Sequence, residues 1–230
     1  MSDAQSPDAI ARNVQTVIDN IREASLRAGR RPEAVSLIAA TKTVSPDLVR
    51  SAIEAGVHIL GESRLQEALP KIEAVGDWQG IAWHFIGRLQ RRKVKSVVGR
   101  FQLIHSVDSL DLAAEINRRA ADAGLVQAVL MEVNIGEEAT KGGLAPAAVA
   151  EVVAASKDLP NLSVQGLMAV PPLATDPEAA RPYFRRLREL ALSLKLTELS
   201  MGMSQDYAVA VEEGATMVRV GTAIFGARKG

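Results

Sequence analysis

The sequence predicts a (β/α)8 barrel preceded by one extra helix. Three observations carry that reading. Apolar runs alternate with helical patterns along the whole 230 residues, eight apolar runs can be placed, and the polar residues with useful chemistry cluster where those runs end. The rival is an open doubly wound sheet, which usually has about five to seven strands and a glycine-rich first turn. Neither GxGxxG nor GxxxxGK[ST] occurs in the chain.

Taken in order, Ala9–Gly29 reads as the opening helix. The first strand is the apolar run Val35–Thr41, ending at Lys42, and Ser45-Pro46 starts the helix Pro46–Ala55, which Gly56 stops. Strand Val57–Gly61 leads to helix Arg64–Val75, stopped by Gly76. Strand Ala82–Ile86 precedes a basic helical stretch, Arg91–Val98. Strand Leu103–His105 precedes helix Leu110–Ala123 and Gly124, and strand Ala128–Asn134 precedes helix Pro146–Lys157. Strand Ser163–Met168 is followed by a proline-rich loop from Pro171 to Pro177 and helix Pro177–Leu194. Glu198–Ser200, helix Gln205–Glu213, Gly214 and strand Met217–Val220 complete the set. No linker or low-complexity segment divides the chain, so residues 1–230 read as one barrel domain.

Bulk composition narrows the function classes. Lys plus Arg equals Asp plus Glu at 27 each, so no global field favours nucleic acid or an anionic membrane. With no cysteine there are no disulfides and no thiolate metal sites, which fits a reducing compartment. Met1 to Asn20 carries polar and acidic groups throughout and resembles neither a signal nor a transit peptide. No run approaches the roughly 18 apolar residues of a membrane helix. A cytoplasmic, soluble monomer is expected.

In a barrel the active site forms where strands end. Lys42 closes the first apolar run, and a lysine there cannot reach bulk water as a surface lysine does. Desolvation disfavours the ammonium, and the neutral amine is the form that condenses with an aldehyde. At the far end, Ser204 and Gly221-Thr222 follow strands seven and eight, where small residues let backbone N–H groups approach a phosphate. The same residues also read as no more than a helix cap, with Ser204 opening the helix at Gln205, and a turn. Arg219 points either inward, where it needs a partner, or outward to a helix. From the pattern alone it reads as a structural salt bridge. His58, His84 and His105 lie on different strands without metal-ligand spacing, so no metal site is expected.

Longer matches follow. Ala39-Ala40-Thr41-Lys42, Gly61-Glu62-Ser63-Arg64-Leu65-Gln66-Glu67, Trp83-His84-Phe85-Ile86-Gly87-Arg88-Leu89-Gln90 and His105-Ser106-Val107-Asp108-Ser109 occur in that order. Gly166-Leu167-Met168-Ala169-Val170-Pro171-Pro172, Leu199-Ser200-Met201-Gly202-Met203-Ser204 and the run Met217 to Gly226 continue it. The chain thereby resembles the pyridoxal-phosphate homeostasis proteins, single-domain relatives of the alanine racemase barrel (PLP fold type III).

The resemblance implies that Lys42 holds pyridoxal 5′-phosphate (PLP) as an imine. Ser204, Gly221 and Thr222 would then hold the phosphate, while His84 and Met203 line the pocket. It also turns Arg219 inward, facing the pyridine nitrogen. Where the family usually carries asparagine, this chain has Ser63 and Arg92; serine reaches less far, which weakens the case for a contact from residue 63 to the cofactor. Arg88, Arg91, Arg92, Lys93 and Lys95 read most simply as a solvated helix face. A fixed cation opposite the pyridine nitrogen makes the ring a weaker electron sink. Tyr183 and Tyr207 read as packing residues, so racemisation lacks a second base. The chain stops at Gly230 soon after the eighth strand, and no second domain is expected. The implied role is regulation of intracellular PLP supply and amino-acid balance, with PLP-dependent apo-enzymes as recipients. A PLP-dependent amino-acid racemase or lyase is the alternative, and a Schiff-base sugar-phosphate enzyme on the same barrel a third. Lys141 is a second lysine to watch for aldehyde binding.

Overall fold

Eight parallel strands close on themselves in chain order, β1 to β8, with β8 pairing back onto β1. The computed structural model describes residues 6–76 and 78–227. The strands are β1 (Ser36–Ala40), β2 (Ile59–Glu62), β3 (Ala82–Phe85), β4 (Leu103–Val107), β5 (Gln127–Val133), β6 (Leu162–Ala169), β7 (Glu198–Ser200) and β8 (Met217–Val220). Helices α1 (Pro7–Arg27), α2 (Pro46–Glu54), α3 (Leu65–Val75), α4 (Leu110–Asp122), α5 (Val149–Ala155), α6 (Arg181–Ser193), α7 (Tyr207–Glu212) and α8 (Thr222–Phe225) surround or flank them.

The opening helix α1 begins where Ser6 accepts from the Ala9 N–H at 3.2 Å and Pro7 takes the first turn. Its buried face, Ile10, Val14, Val17 and Ile21, repeats at helical spacing and packs against α2, α7 and α8. Asn20 donates to the Tyr207 hydroxyl at 2.9 Å, which pins α1 to α7 and gives Tyr207 its packing role.

Inside the barrel the residues form two layers along the strands. Ile38, Leu103, Leu130, Met168 and Met217 make an apolar plug. Two residues further along three of these strands stand His105, Glu132 and Arg219, because side chains of a strand repeat every second residue on one face. The polar layer therefore sits at the C-terminal end, above a dry floor. The pairing of β4 with β5 shifts register between Ile104 and Val107, an irregularity that spans His105 and Ser106.

Several boundaries differ from the sequence expectation. Arg91–Ser96 is a 3-10 helix, not an α-helix; its four like charges give a longer helix no ion pairs to gain. Pro146–Ala148, Ser156–Asp158 and Pro177–Ala180 are also 3-10 turns flanking α5 and α6. α7 starts at Tyr207 after an Asp206 cap, so Ser204 is not the cap of that helix. The reason is local: the Met203 N–H donates to Asp206 Oδ1 at 2.6 Å and closes a turn first. β4 runs two residues past His105, and α8, four residues long, was not anticipated.

Candidate cofactor site

A cavity of about 720 Å³ opens at the C-terminal end of the strands. Lys42, Ser63, Met203, Ser204, Arg219, Gly221 and Thr222 all line it. They come from loops and strand ends up to 180 positions apart (Lys42 to Thr222), brought together by closure of β1 against β8. His84 is not in the wall: it lies buried on β3 and connects to the wall only through other side chains. The proline-rich loop supplies the rim through Pro171, Pro172 and Leu173.

Lys42 is half-buried two residues beyond β1, and among the described residues no carboxylate pairs with its amine. The backbone that carries it is held from beneath. Lys71 of α3 donates to the Thr41 carbonyl at 2.5 Å and to Glu62 Oε1 at 2.5 Å, and the Thr41 hydroxyl donates to the same oxygen at 2.6 Å. Thr41 and Glu62 are fully buried. Ser63 is fixed from the other side. A Cβ on Gly87 would lie 2.2 Å from the Ser63 carbonyl oxygen, so only glycine lets the loops after β2 and β3 touch.

Elsewhere in the cavity wall the Ser204 hydroxyl accepts from the backbone N–H groups of Gly221 at 3.1 Å and Ala223 at 3.3 Å. The turns after β7 and β8 thus meet at one hydroxyl. Gly202, at φ +89°, turns the chain toward Ser204, and a Cβ there would stand 2.5 Å from Ala210 Cβ. A Cβ on Gly221 would lie 3.3 Å from the Ala40 carbonyl oxygen, at the cavity wall. A small, hydroxyl-bearing cradle sharing a cavity of this size with a lysine fits a phosphorylated aldehyde.

Arg219 is buried and faces this cavity. Its Nη1 donates to Ser200 Oγ at 2.5 Å and its Nη2 to the Ala169 carbonyl at 3.1 Å. No carboxylate among the described residues forms an ion pair with it, so the structural salt bridge read from the strand pattern alone is absent. Burial lowers its pKa to about 10, against the pull of Glu132 and Asp206. The guanidinium stays charged at neutral pH. Burial also raises the Glu132 carboxyl, with Asp108 adding and Arg219 opposing, and burial raises Asp206 against its bond from Met203. Burial pushes His84 down to about 4. Burial, then the neighbouring His84 and Arg219, hold His105 well below the usual histidine range.

Other flagged residues fall outside the site. His58 is exposed, Tyr183 packs against the core, and no group of three or more candidate metal ligands exists among the described residues. Lys141 bonds Glu138 at 2.6 Å and the Pro171 carbonyl at 3.1 Å, so it braces the rim loop. Arg88, Arg91, Arg92 and Lys95 are exposed. Sequence reasoning missed the Glu62–Lys71 pair and the roles of Ser200, His105 and Asp206. A buried-strand glutamate beside the lysine segment was the one available signal.

The family model for the alanine racemase N-terminal domain matches residues 6–229. A pyridoxal phosphate homeostasis protein of Aquifex aeolicus is 49% identical over 219 residues, covering 93% of this chain and 96% of that one. Another so named, from Pseudomonas aeruginosa, is 45% identical over 222 residues, covering 95% and 96%. Among solved structures, PipY of Synechococcus elongatus with PLP bound superposes with a TM-score of 0.79 at 36% identity, covering 90% of this chain and 99% of that one. No described helix is long and apolar enough to cross a membrane. The chain belongs to the pyridoxal phosphate homeostasis protein family, built on the alanine racemase N-terminal barrel.

Proposed function

We propose that this barrel holds pyridoxal 5′-phosphate through Lys42 and regulates its supply to enzymes that require it. The observation that carries the reading is one cavity that brings together a lysine with no carboxylate partner among the described residues, a buried cavity-facing arginine and a Ser204–Gly221 cradle. Bound PLP supplies an aldehyde that a neutral amine can condense with reversibly. Lys42 attaches that aldehyde, Ser204, Gly221 and Thr222 hold the phosphate, and Arg219 faces the ring nitrogen. Met203 and Ser63 border the remaining wall. His84 acts from behind the wall. Residues 1–230 work as one PLP-binding domain, in the cytoplasm, as a monomer.

A carrier is favoured over a racemase or lyase. The described residues lining the cavity include neither a tyrosine nor a histidine to serve as a second base opposite Lys42. Arg219 supplies a permanent cation where strong carbanion stabilisation calls for a carboxylate. The relatives named for PLP homeostasis point the same way. The test is to load the protein with PLP and mix it with an apo-enzyme that needs the cofactor, following recovered activity. In parallel, amino acids are incubated with the loaded protein in deuterated water. Transfer without α-proton exchange is expected; exchange at a useful rate that depends on Lys42 would establish an enzyme instead.

A further inference from the structure

Four buried side chains form one hydrogen-bonded row across the barrel interior. His84 Nδ1 on β3 lies 3.1 Å from His105 Nε2 on β4. His105 Nδ1 lies 2.9 Å from Ser200 Oγ on β7, and Ser200 accepts from Arg219 on β8 at 2.5 Å. His105 and Ser200 are fully buried, so each polar atom needs a partner inside the row.

That requirement gives the row a direction. A guanidinium only donates, so Ser200 Oγ is an acceptor toward Arg219. The Ser200 hydroxyl hydrogen then has one described acceptor, His105 Nδ1. His105 must carry its proton on Nε2 and donate it to His84 Nδ1. Both rings are neutral, with hydrogen on Nε2. The reverse order leaves the Ser200 hydroxyl hydrogen buried without an acceptor, at a cost of about 1–3 kcal/mol.

The row matters because Arg219 has other attractions. Glu132 on β5 and Asp206 after β7 both pull on its charge, yet neither forms an ion pair with it. Its held positions are the Ser200 hydroxyl and the Ala169 carbonyl on β6. We propose that Ser200 and His105, backed by His84, are positioning residues for Arg219: the row fixes the guanidinium in the cavity wall against Glu132 and Asp206. Resting on the PLP reading above, this presents the ring nitrogen with a stationary cation and keeps that nitrogen unprotonated. Without the row, the guanidinium swings to a carboxylate and the nitrogen titrates.

Two measurements test it. Imidazole nitrogen NMR on the unaltered protein reads the tautomers directly and needs no variant. Nε2–H on both His84 and His105 is expected near neutral pH; Nδ1–H on His105 overturns the directed row. The second compares the wild type with Ser200→Ala and Ser200→Thr, titrated with PLP and scanned for absorbance from about pH 6 to 9. Ser200→Ala is expected to bind PLP about tenfold more weakly and to show a pH-dependent band. Ser200→Thr, which keeps the hydroxyl, is expected to restore both affinity and a flat profile. Wild-type affinity and a flat profile in Ser200→Ala overturn the positioning role. If the wild type itself takes up no PLP, the cofactor reading fails, while the tautomers still decide the row.

Discussion

Lys71 Nζ lies 2.5 Å from Glu62 Oε1, a buried ion pair directly beneath the peptide that carries Lys42. Among the described residues the second Glu62 oxygen has no hydrogen-bond partner, and Lys71 and Thr41 hold the first.

Removing one partner of such a pair strands the other charge. Lys71→Met is therefore expected to cost about 3–5 kcal/mol in urea unfolding, whereas Lys71→Met with Glu62→Leu recovers much of that loss. A Lys71→Met cost below about 1 kcal/mol would show that the pair is not what supports the Lys42 loop.

Acid should weaken the fold through His84. Its pKa falls from an ordinary 6.5 to about 4 on folding, because burial disfavours the imidazolium. Between those values the unfolded chain binds more protons than the folded one. Stability is thus complete above pH 6.5 and is lost as pH falls toward about 4, by roughly 3 kcal/mol from this group. His105 is shifted the same way by burial, then by His84 and Arg219, so it adds to the loss. Urea midpoints measured across that range check the slope; a flat profile contradicts it.

At the cradle, Ser204 holds two backbone N–H groups. Ser204→Ala is expected to destabilise the protein by about 1 kcal/mol and to weaken PLP binding about tenfold. An equilibrium titration with PLP, set beside one with pyridoxal lacking the phosphate, separates the two effects. The variant should lose affinity for PLP and little for pyridoxal.

Gly87→Ala forces a Cβ into the Ser63 backbone, and neither strand-end loop can yield without moving the cavity wall. A loss of about 2–3 kcal/mol is expected by thermal unfolding, together with weaker PLP retention. Unchanged stability would mean the two loops have slack.

The barrel was legible because strand and helix periods alternate so regularly from Val35 to Val220, and because polar residues stop the apolar runs. Lys42, Ser204 and Gly221-Thr222 could be picked out for the same reason: each sits just past a strand end. What stayed hidden depends on closure. The His105–Ser200 bond joins residues 95 positions apart, and no local pattern encodes it. The Lys71–Glu62 pair is closer in sequence, but a lysine in an amphipathic helix ordinarily reads as solvent-facing. The start of α7 was misplaced because Asp206 competes with Ser204 for the turn, a choice made by the Met203 N–H. Arg219 illustrates both sides: its strand position was plain, while its bonds to Ser200 and Ala169 exist only once β6, β7 and β8 are side by side.

The central claim is that Lys42 is the residue that takes the aldehyde of PLP. The direct measurement is borohydride reduction of the PLP-loaded protein followed by peptide mass mapping, run beside Lys42→Ala. A single reduced adduct on Lys42, absent from the variant along with its absorbance band, is the predicted result. An adduct spread over surface lysines, or one that persists on Lys71 or Lys141 in Lys42→Ala at wild-type occupancy, would contradict it.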